Sequence, residues 1–325
     1  MTSGRSTTRM PVPPIAVRIA VIEALSATLR RFALEPADGA VLAPAAPGAH
    51  ILVALDDGGG TVRRNAYSLI EPPDRLNRYE IIVRHAEASR GGSAYLHKRA
   101  GVGDILRVLP PQSAFPPVAS ARQHVMVSAG IGITPFLFYR RAFETTGGSW
   151  ELHQCCRPDE ATAFAGLADL DTEQRVHIHA GRGAFDLDAV LCRQPLGTHL
   201  YCCGPAGFMA AVRDRATALG WPPSRLHEER FGDTTAGTPF TAWLGRSRRE
   251  ITVGAHESLL EALETAGLEV PFLCRGGVCG ACRVGVTEGG IDHRDRVLTE
   301  GERTAGDTLL ACISRAAGSR LVLDL

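Results

Sequence analysis

Residues 274–284 read CRGGVCGACRV, with three cysteines and three glycines in eleven residues. Cys274, Cys279 and Cys282 are spaced C-x4-C-x2-C, and Cys312 lies thirty residues beyond Cys282. This is the spacing of plant-type 2Fe–2S ferredoxins. Two irons and two sulfides require four thiolates, and a tight loop supplies three of them from one side. Gly276, Gly277 and Gly280 let the backbone wrap close to a cluster and aim amide N–H groups at its sulfurs. The competing reading is a glycine-rich loop of buried or zinc-binding cysteines. Zinc sites usually take paired C-x2-C knuckles, and only Cys279 and Cys282 form such a pair. Residues 239–325 are therefore expected to form a plant-type ferredoxin domain of the α+β (β-grasp) class. "PFTAWLGRSRREITVGAHESLLEALETAGLEV" supplies a hairpin and a helix before the cysteine loop.

Composition narrows the rest. A chain of 325 residues is long for one core and implies two or three domains. Its 35 basic and 35 acidic residues balance, which argues against a general binder of nucleic acid or anionic membrane. No run of eighteen apolar residues occurs, so no spanning helix is expected. The first apolar segment is interrupted by Pro13, Pro14, Arg18 and Glu23 and does not read as a signal peptide. A cytoplasmic chain with a flexible N-terminus over residues 1–13 is the expectation. Nine cysteines, four of them in the adjacent pairs Cys155–Cys156 and Cys202–Cys203, point to metal ligands or buried thiols rather than disulfides.

Two further blocks precede the ferredoxin block. Residues 14–115 alternate short apolar runs with turn signals: AVRIAVIEAL, GAHILVAL, VRRNAYSLI, YEIIVRHA and GDILRVLP. Such runs read as an antiparallel β-barrel, with GGSAYLHKRA as its one short helix. From 116 to 231 strands alternate with helical stretches, which predicts a small parallel α/β domain. Residues 232–238 form a polar, glycine-containing linker.

The stretch SAGIGITPF, residues 128–136, follows an apolar strand and opens a helix. Thr134 is expected as the N-cap and Pro135 in the first turn. Gly130 and Gly132 allow a close backbone approach, and the unpaired N–H groups of a helix start suit a pyrophosphate. A plain tight βα turn remains the alternative, because G-x-G-x-x-P is not the usual dinucleotide fingerprint. YCCGPAGFM, residues 201–209, repeats the arrangement with Cys203, Gly204 and Pro205 between strand and helix. Both loops would then lie at the carboxyl ends of parallel strands. Packed thiols remain the plain reading of Cys155, Cys156, Cys192, Cys202 and Cys203.

The ordered set YSL, GGS, GIGITP, CCGP and C-x4-C-x2-C, with the ending LVLDL, resembles the phthalate dioxygenase reductase family; vanillate demethylase reductases are similar. The resemblance runs from about residue 14 to Leu325. It implies an FMN-binding barrel, a nicotinamide-binding α/β domain and a ferredoxin domain, in that order. It assigns Tyr67 and Ser68 to the isoalloxazine edge, with the Ser68 hydroxyl near flavin N5, and Val83 and Arg84 to the neighbouring strand. Gly91, Gly92 and Ser93 match the turn that holds the FMN phosphate. Phe231 matches the aromatic that covers the flavin where nicotinamide enters, with Glu229 beside it. The family reads Arg-x-Tyr-Ser where this chain reads RRNAYS, so either Arg64 or Asn65 would take the arginine's place.

A mechanism follows from what each cofactor can carry. NADH delivers two electrons as a hydride, whereas a plant-type cluster takes one at a time at a low potential, roughly −400 mV. A flavin can do both. FMN is expected because GGSAYLH offers a single phosphate-sized helix start and no clear stacking aromatic for an adenine. Asp159 and Glu160, after the strand WELHQCC, sit near the expected ribose pocket; a carboxylate there favours NADH over NADPH, with Arg157 as a counterweight. No general base is needed, and Asp292, His293 and Asp295 read as solvated surface or loop residues. The resemblance implies a monomeric reductase component that docks transiently on a Rieske-type oxygenase through the lip of the cysteine loop, with Arg275 and Val278 facing outward. A stand-alone flavin or ferric reductase and a non-enzymatic redox sensor are the alternatives. The cluster loop argues against the first and the nicotinamide loops against the second.

Overall fold

Apolar residues that alternate with polar ones in the first hundred positions pair into an antiparallel sheet. In the computed structural model the described residues are 13–325, apart from 57–61, 74–76, 87–90, 114, 169–174, 232–235, 274 and 278. The expected flexible terminus thus lies outside the described residues except for Pro13, as does most of the expected linker. Strands β1 (Ile15–Ala24), β2 (Leu29–Pro36), β3 (Ala49–Asp56), β4 (Val62–Ser68), β5 (Tyr79–Arg84) and β6 (Ile105–Ser113) form a six-stranded sheet in the order β4-β3-β6-β1-β2-β5. A bridge from Leu69 to Ile81 and a hydrogen bond from Ile70 N–H to Glu80 O bring the two end strands together as a half-barrel. Helix α1 (Gly92–Lys98) lies between β5 and β6. β2 is absent from the runs expected from the sequence. Its Arg30, Arg31 and Glu35 break up the apolar pattern, although Leu29, Phe32, Ala33 and Leu34 are all buried.

Five parallel strands follow: β7 (Gln123–Ala129), β8 (Trp150–Cys156), β9 (Val176–Ala180), β10 (Thr198–Cys203) and β11 (Leu226–Glu229), in the order β11-β10-β7-β8-β9. They are covered by α2 (Thr134–Thr146), α3 (Ala161–Ala168), α4 (Leu187–Cys192) and α5 (Ala206–Ala218). Leu29, Ile70 and Ile82 of the half-barrel share one core with Met126, Ile133, Phe136 and Tyr139 of this layer. That shared core makes Ile15–Phe231 a single unit.

The second unit contains the C-terminal stretch. Its strands are β12 (Phe240–Leu244), β13 (Arg249–Val253), β14 (Arg283–Glu288), β15 (Ile291–Asp292), β16 (Thr308–Leu310), β17 (Arg315–Ala316) and β18 (Arg320–Leu323). Five make a mixed sheet in the order β13-β12-β18-β14-β16, with β12 and β18 parallel at its centre. Helix α6 (Leu259–Thr265) packs four buried residues against the sheet, and its start is fixed by a capping box between Ser258 and Glu261. Helix α7 (Glu300–Ala305) precedes β16. No helix among the described residues is long and apolar enough to cross a membrane.

Arg315 is 1% exposed, which is costly for a charge unless every donor finds an acceptor. It donates to the carbonyls of Glu257 (2.7 Å), Gly254 (2.9 Å) and Thr238 (3.0 Å) and lies over the Phe240 ring. Arg294 donates to Ala236 O at 2.8 Å. Residues 236–238 are therefore held on this unit by two arginines. Arg315→Met should strand the three carbonyls and destabilise the unit by about 3 kcal/mol. Denaturant unfolding followed by cluster absorbance measures this, and an unchanged midpoint would contradict it.

Candidate functional site

Two βα turns meet at the carboxyl ends of the parallel strands. The turn after β7 is a single 3-10 turn, Gly130–Ile133, that runs into α2. Gly130 has φ 57°, a left-handed conformation natural to glycine. Its carbonyl accepts a hydrogen bond from Gln154 Nε2 (2.9 Å), and Gln154 in turn accepts from Ser128 Oγ (2.5 Å). A Cβ on Gly132 would lie 2.2 Å from the carbonyl oxygen of Cys203, and one on Gly204 would lie 3.1 Å from Ala129 Cβ. Glycine at both positions is what lets the two turns touch backbone to backbone. Pro135 lies in the first turn of α2 as expected. Thr134, however, is not the N-cap. Ile133 holds that position, and the Thr134 hydroxyl donates to Ile131 O (3.1 Å), because the preceding 3-10 turn has already paired the backbone. Pro205 is the N-cap residue of α5.

The half-barrel reaches this site through β5. Arg84 Nη2 lies 2.7 Å from Glu160 Oε1, and a Cβ on Gly130 would sit 3.4 Å from the same Nη2. Glu160 is 3% exposed and also meets Arg157 (3.1 Å) and Thr28 Oγ1 (3.4 Å). Burial pushes its carboxyl up, but Arg84 and Arg157 hold it below the ordinary value. Glu160 is thus occupied by the half-barrel and does not face a ribose. Asp159 does remain outward: its side chain is 70% exposed, with Arg157 Nε at 3.6 Å.

On β4, strand alternation sends Asn65 and Tyr67 to one face and Arg64 to the other. The Asn65 amide lies against α1, where a Cβ on Gly92 would come within 2.5 Å of Nδ2. The Asn65 side chain therefore lies at the Gly91–Ser93 turn. Gly91 adopts φ 112°, and Ser93 Oγ accepts from Ala86 N–H (3.2 Å). Val83 is buried and its carbonyl bonds His97 Nε2 (2.9 Å), tying β5 to α1. Burial raises the Tyr67 phenol well above its ordinary value, so it stays protonated. Ser68 is 5% exposed, yet its hydroxyl has no hydrogen-bond partner among the described residues. A buried hydroxyl in that state fits a ligand edge carrying an acceptor. Glu229 pairs in register with Cys203, and Phe231, 37% exposed, follows the strand. Burial, then the nearby Glu229 carboxylate, push the Cys203 thiol well up, so it is a packed thiol.

In the second unit, β14 and β16 pair Arg283 with Leu310, and Ala311 N–H bonds Cys282 O at 2.9 Å. This sets buried Cys282 beside buried Cys312, with Cys279 half-buried in the preceding loop. Gly277 and Gly280 adopt φ 74° and 75°, and a Cβ on Gly277 would strike Ile313 at 2.8 Å. A loop with left-handed glycines packed this tightly fits the wrapping that four thiolates around a cluster require. Cys274 and Val278 lie outside the described residues. Arg275 does not face outward. It pairs with Glu264 and stacks 4.1 Å over Phe272, leaving its side chain 10% exposed. Asp295 is not solvated either: it is 3% exposed and caps the N–H groups of Val297 (2.9 Å) and Leu298 (2.8 Å). Asp292 pairs with Arg294.

Residues 244–317 match the 2Fe-2S iron-sulfur cluster binding domain family. The chain is 43% identical to the heme-dependent oxidative N-demethylase beta subunit of Ectopseudomonas mendocina (strain ymp), over 95% of this chain and 98% of that protein. It is 38% identical to the carnitine monooxygenase reductase subunit of Escherichia coli (strain K12), again over 95% and 98%. Its fold matches the solved structure of phthalate dioxygenase reductase, described as a modular structure for electron transfer from pyridine nucleotides to [2Fe-2S]. That match has a TM-score of 0.80 at 35% identity, covering 96% of this chain and 98% of the other. The chain belongs to the phthalate dioxygenase reductase family. It is an electron-transfer oxidoreductase, the reductase component of an oxygenase system.

The backbone contact between the two turns generates a prediction. Gly132→Ala must push the Cys203 carbonyl away, an overpacking expected to cost about 1–3 kcal/mol. Thermal unfolding should show a lowered Tm and steady-state kinetics a raised KM for the pyridine nucleotide. Wild-type values of both would contradict the contact.

Proposed function

We propose that this chain takes hydride from NADH at an FMN held by β4, β5 and α1, and passes single electrons through a cluster on Cys274, Cys279, Cys282 and Cys312 to a Rieske-type oxygenase. The observation that carries the reading is the position of Arg84. It extends from the strand expected to line the flavin to the turn expected to hold the dinucleotide, so both cofactor sites belong to one unit. When bound, the flavin accepts two electrons together and releases them singly, as a one-electron cluster requires.

The protein's own residues bind, orient and exclude water. The Ser68 hydroxyl donates to the flavin edge, and the protonated Tyr67 phenol lies along it. Asn65 and the turn Gly91–Gly92–Ser93 hold the single phosphate, with Asn65 replacing the family's arginine by a neutral amide. Val83 and Arg84 back the ring from β5. Gly130, Gly132, Thr134 and Pro135, with Cys203, Gly204 and Pro205, shape the cleft for the pyrophosphate and nicotinamide. Asp159 accepts a hydrogen bond from a free ribose 2′-hydroxyl and repels a 2′-phosphate, while Arg157 pairs with Glu160 and Asp159. Phe231, half-exposed, covers the flavin until nicotinamide enters, and Glu229 sits beside that entry. The chain works as a monomer in the cytoplasm.

A heme-containing oxygenase is the second reading of the partner, favoured by the 43% identity to an N-demethylase beta subunit named heme-dependent. Reconstitution with the oxygenase components encoded beside this chain separates the readings. NADH-dependent substrate oxidation should require both proteins, and kcat/KM should favour NADH over NADPH. The extracted flavin should be FMN. Cys279→Ser should lose cluster absorbance, cytochrome c reduction and oxygenase coupling, yet retain ferricyanide reduction. Electron delivery to a heme partner and to no Rieske centre would establish the second reading, and delivery to neither would leave a stand-alone reductase.

A further inference from the structure

The parallel sheet carries a cluster of donors that the electron-transfer reading does not use. Strand alternation projects Glu151 and His153 of β8 and His177 and His179 of β9 from the same face, with His153 opposite His177 and Cys155 opposite His179 in register. The His153 and His177 rings stack with centroids 4.7 Å apart, and Phe185 packs on the rings of His153 and His179. This is the face opposite Gln154, whose side chain holds the Gly130 turn.

A hydrogen-bond chain decides which nitrogen of His153 is bare. His179 Nδ1 lies 3.2 Å from Ala184 O, and a carbonyl only accepts, so Nδ1 carries the proton. The neutral His179 ring then accepts at Nε2 from His153 Nδ1, 3.0 Å away. In the neutral His153 ring, that leaves Nε2 as a lone pair. His153 is 2% exposed, and this nitrogen has no hydrogen-bond partner among the described residues. It points at Glu151 Oε1, 3.6 Å away, and a ring nitrogen of His177 completes a set of three donor atoms all within 4.8 Å of one another. His153 is buried while Glu151 and His177 keep solvent access, so a cation can reach the three donor atoms from the β9 side. A proton shared by His153 and Glu151 engages two of these atoms, and a metal ion can engage all three.

We propose that Glu151, His153 and His177 form a binding site for a divalent first-row transition-metal ion of the zinc type. Two imidazoles and one carboxylate are the donor set that zinc, nickel or copper accept and that calcium and magnesium do not prefer. Zinc bonds of about 2.0–2.2 Å place tetrahedral ligand atoms roughly 3.3 Å apart. The Glu151–His153 separation is close to that already, and His177, on the edge strand, closes by rotating about its side-chain bonds. The supporting layer is built as metal sites require. His179 fixes the His153 tautomer, while Arg193 Nη2 (2.9 Å) and Gln194 Nε2 (2.5 Å) orient the Glu151 carboxylate. Arg193 is half-exposed, so solvent screens its charge from an incoming cation. A bound ion would tie edge strand β9 to β8, so its readout is stability and not electron flow.

The test uses the oxidised holoprotein, with flavin and cluster loaded, and zinc chloride alone as the probe. Calorimetry and elemental analysis after dialysis should find one zinc per chain, and the Tm should rise. Zinc K-edge absorption should show a nitrogen and oxygen shell with two imidazoles and no sulfur. Glu151→Gln and His177→Gln should each weaken binding at least about 10-fold, and His179→Gln should weaken it through the His153 tautomer. Unchanged flavin and cluster spectra in these variants establish that the fold is intact. Absence of stoichiometric zinc, sulfur ligation, or wild-type affinity in both Glu151→Gln and His177→Gln would overturn the site.

Discussion

The Arg84–Glu160 pair fixes the geometry on which electron entry depends. A carboxylate buried to 3% exposure is tolerated only because two guanidiniums and a hydroxyl surround it, and one of those guanidiniums comes from the half-barrel. The same Arg84 lies against Gly130, so the strand expected to line the flavin and the turn expected to carry the dinucleotide are positioned by one side chain. Around this joint the shared core of Leu29, Ile70, Ile82, Met126 and Phe136 leaves the half-barrel and the parallel sheet no independent freedom. Hydride transfer demands that kind of rigidity, since its reacting atoms must meet at near-contact distance.

The cluster-bearing unit is organised differently. Its core closes on itself, around Leu259, Leu263, Leu309 and Leu321, and its contribution to the chain's chemistry is a loop of left-handed glycines between α6 and β14. One-electron transfer tolerates separation that hydride transfer does not, so such a unit can be joined by a short connecting segment. Covalent linkage then keeps flavin and cluster at a high effective concentration whatever the abundance of a partner.

The sequence made the chemistry more legible than its supports. The cysteine spacing, GIGITP and CCGP are local patterns, readable because each encodes its backbone turn within a few residues. The charged residues were harder. Glu160 looked like a ribose ligand, Arg275 an outward charge and Asp295 a solvated one, yet each is satisfied by a group that only folding brings near: Arg84, Glu264, and the Val297 and Leu298 amides. Arg315 gave no signal at all, since its acceptors are main-chain carbonyls of Thr238, Gly254 and Glu257. Strand β2 was hidden by its own arginines. The choice between Arg64 and Asn65 depended on which face of β4 each occupies, a matter of register rather than composition. His153 and His177 lie in ordinary alternating strands and become neighbours only through the parallel pairing of β8 with β9.

The central claim is that electrons enter at the flavin in one unit and pass within the same chain to the cluster in the other. Anaerobic rapid mixing of the holoprotein with stoichiometric NADH, followed at wavelengths that separate flavin from cluster, tests it most directly. The account predicts that flavin bleaching precedes cluster reduction, and that the rate constant of the second phase does not change as the protein is diluted. A second phase that slows in proportion to dilution, or a cluster that stays oxidised while the flavin is reduced, would contradict it.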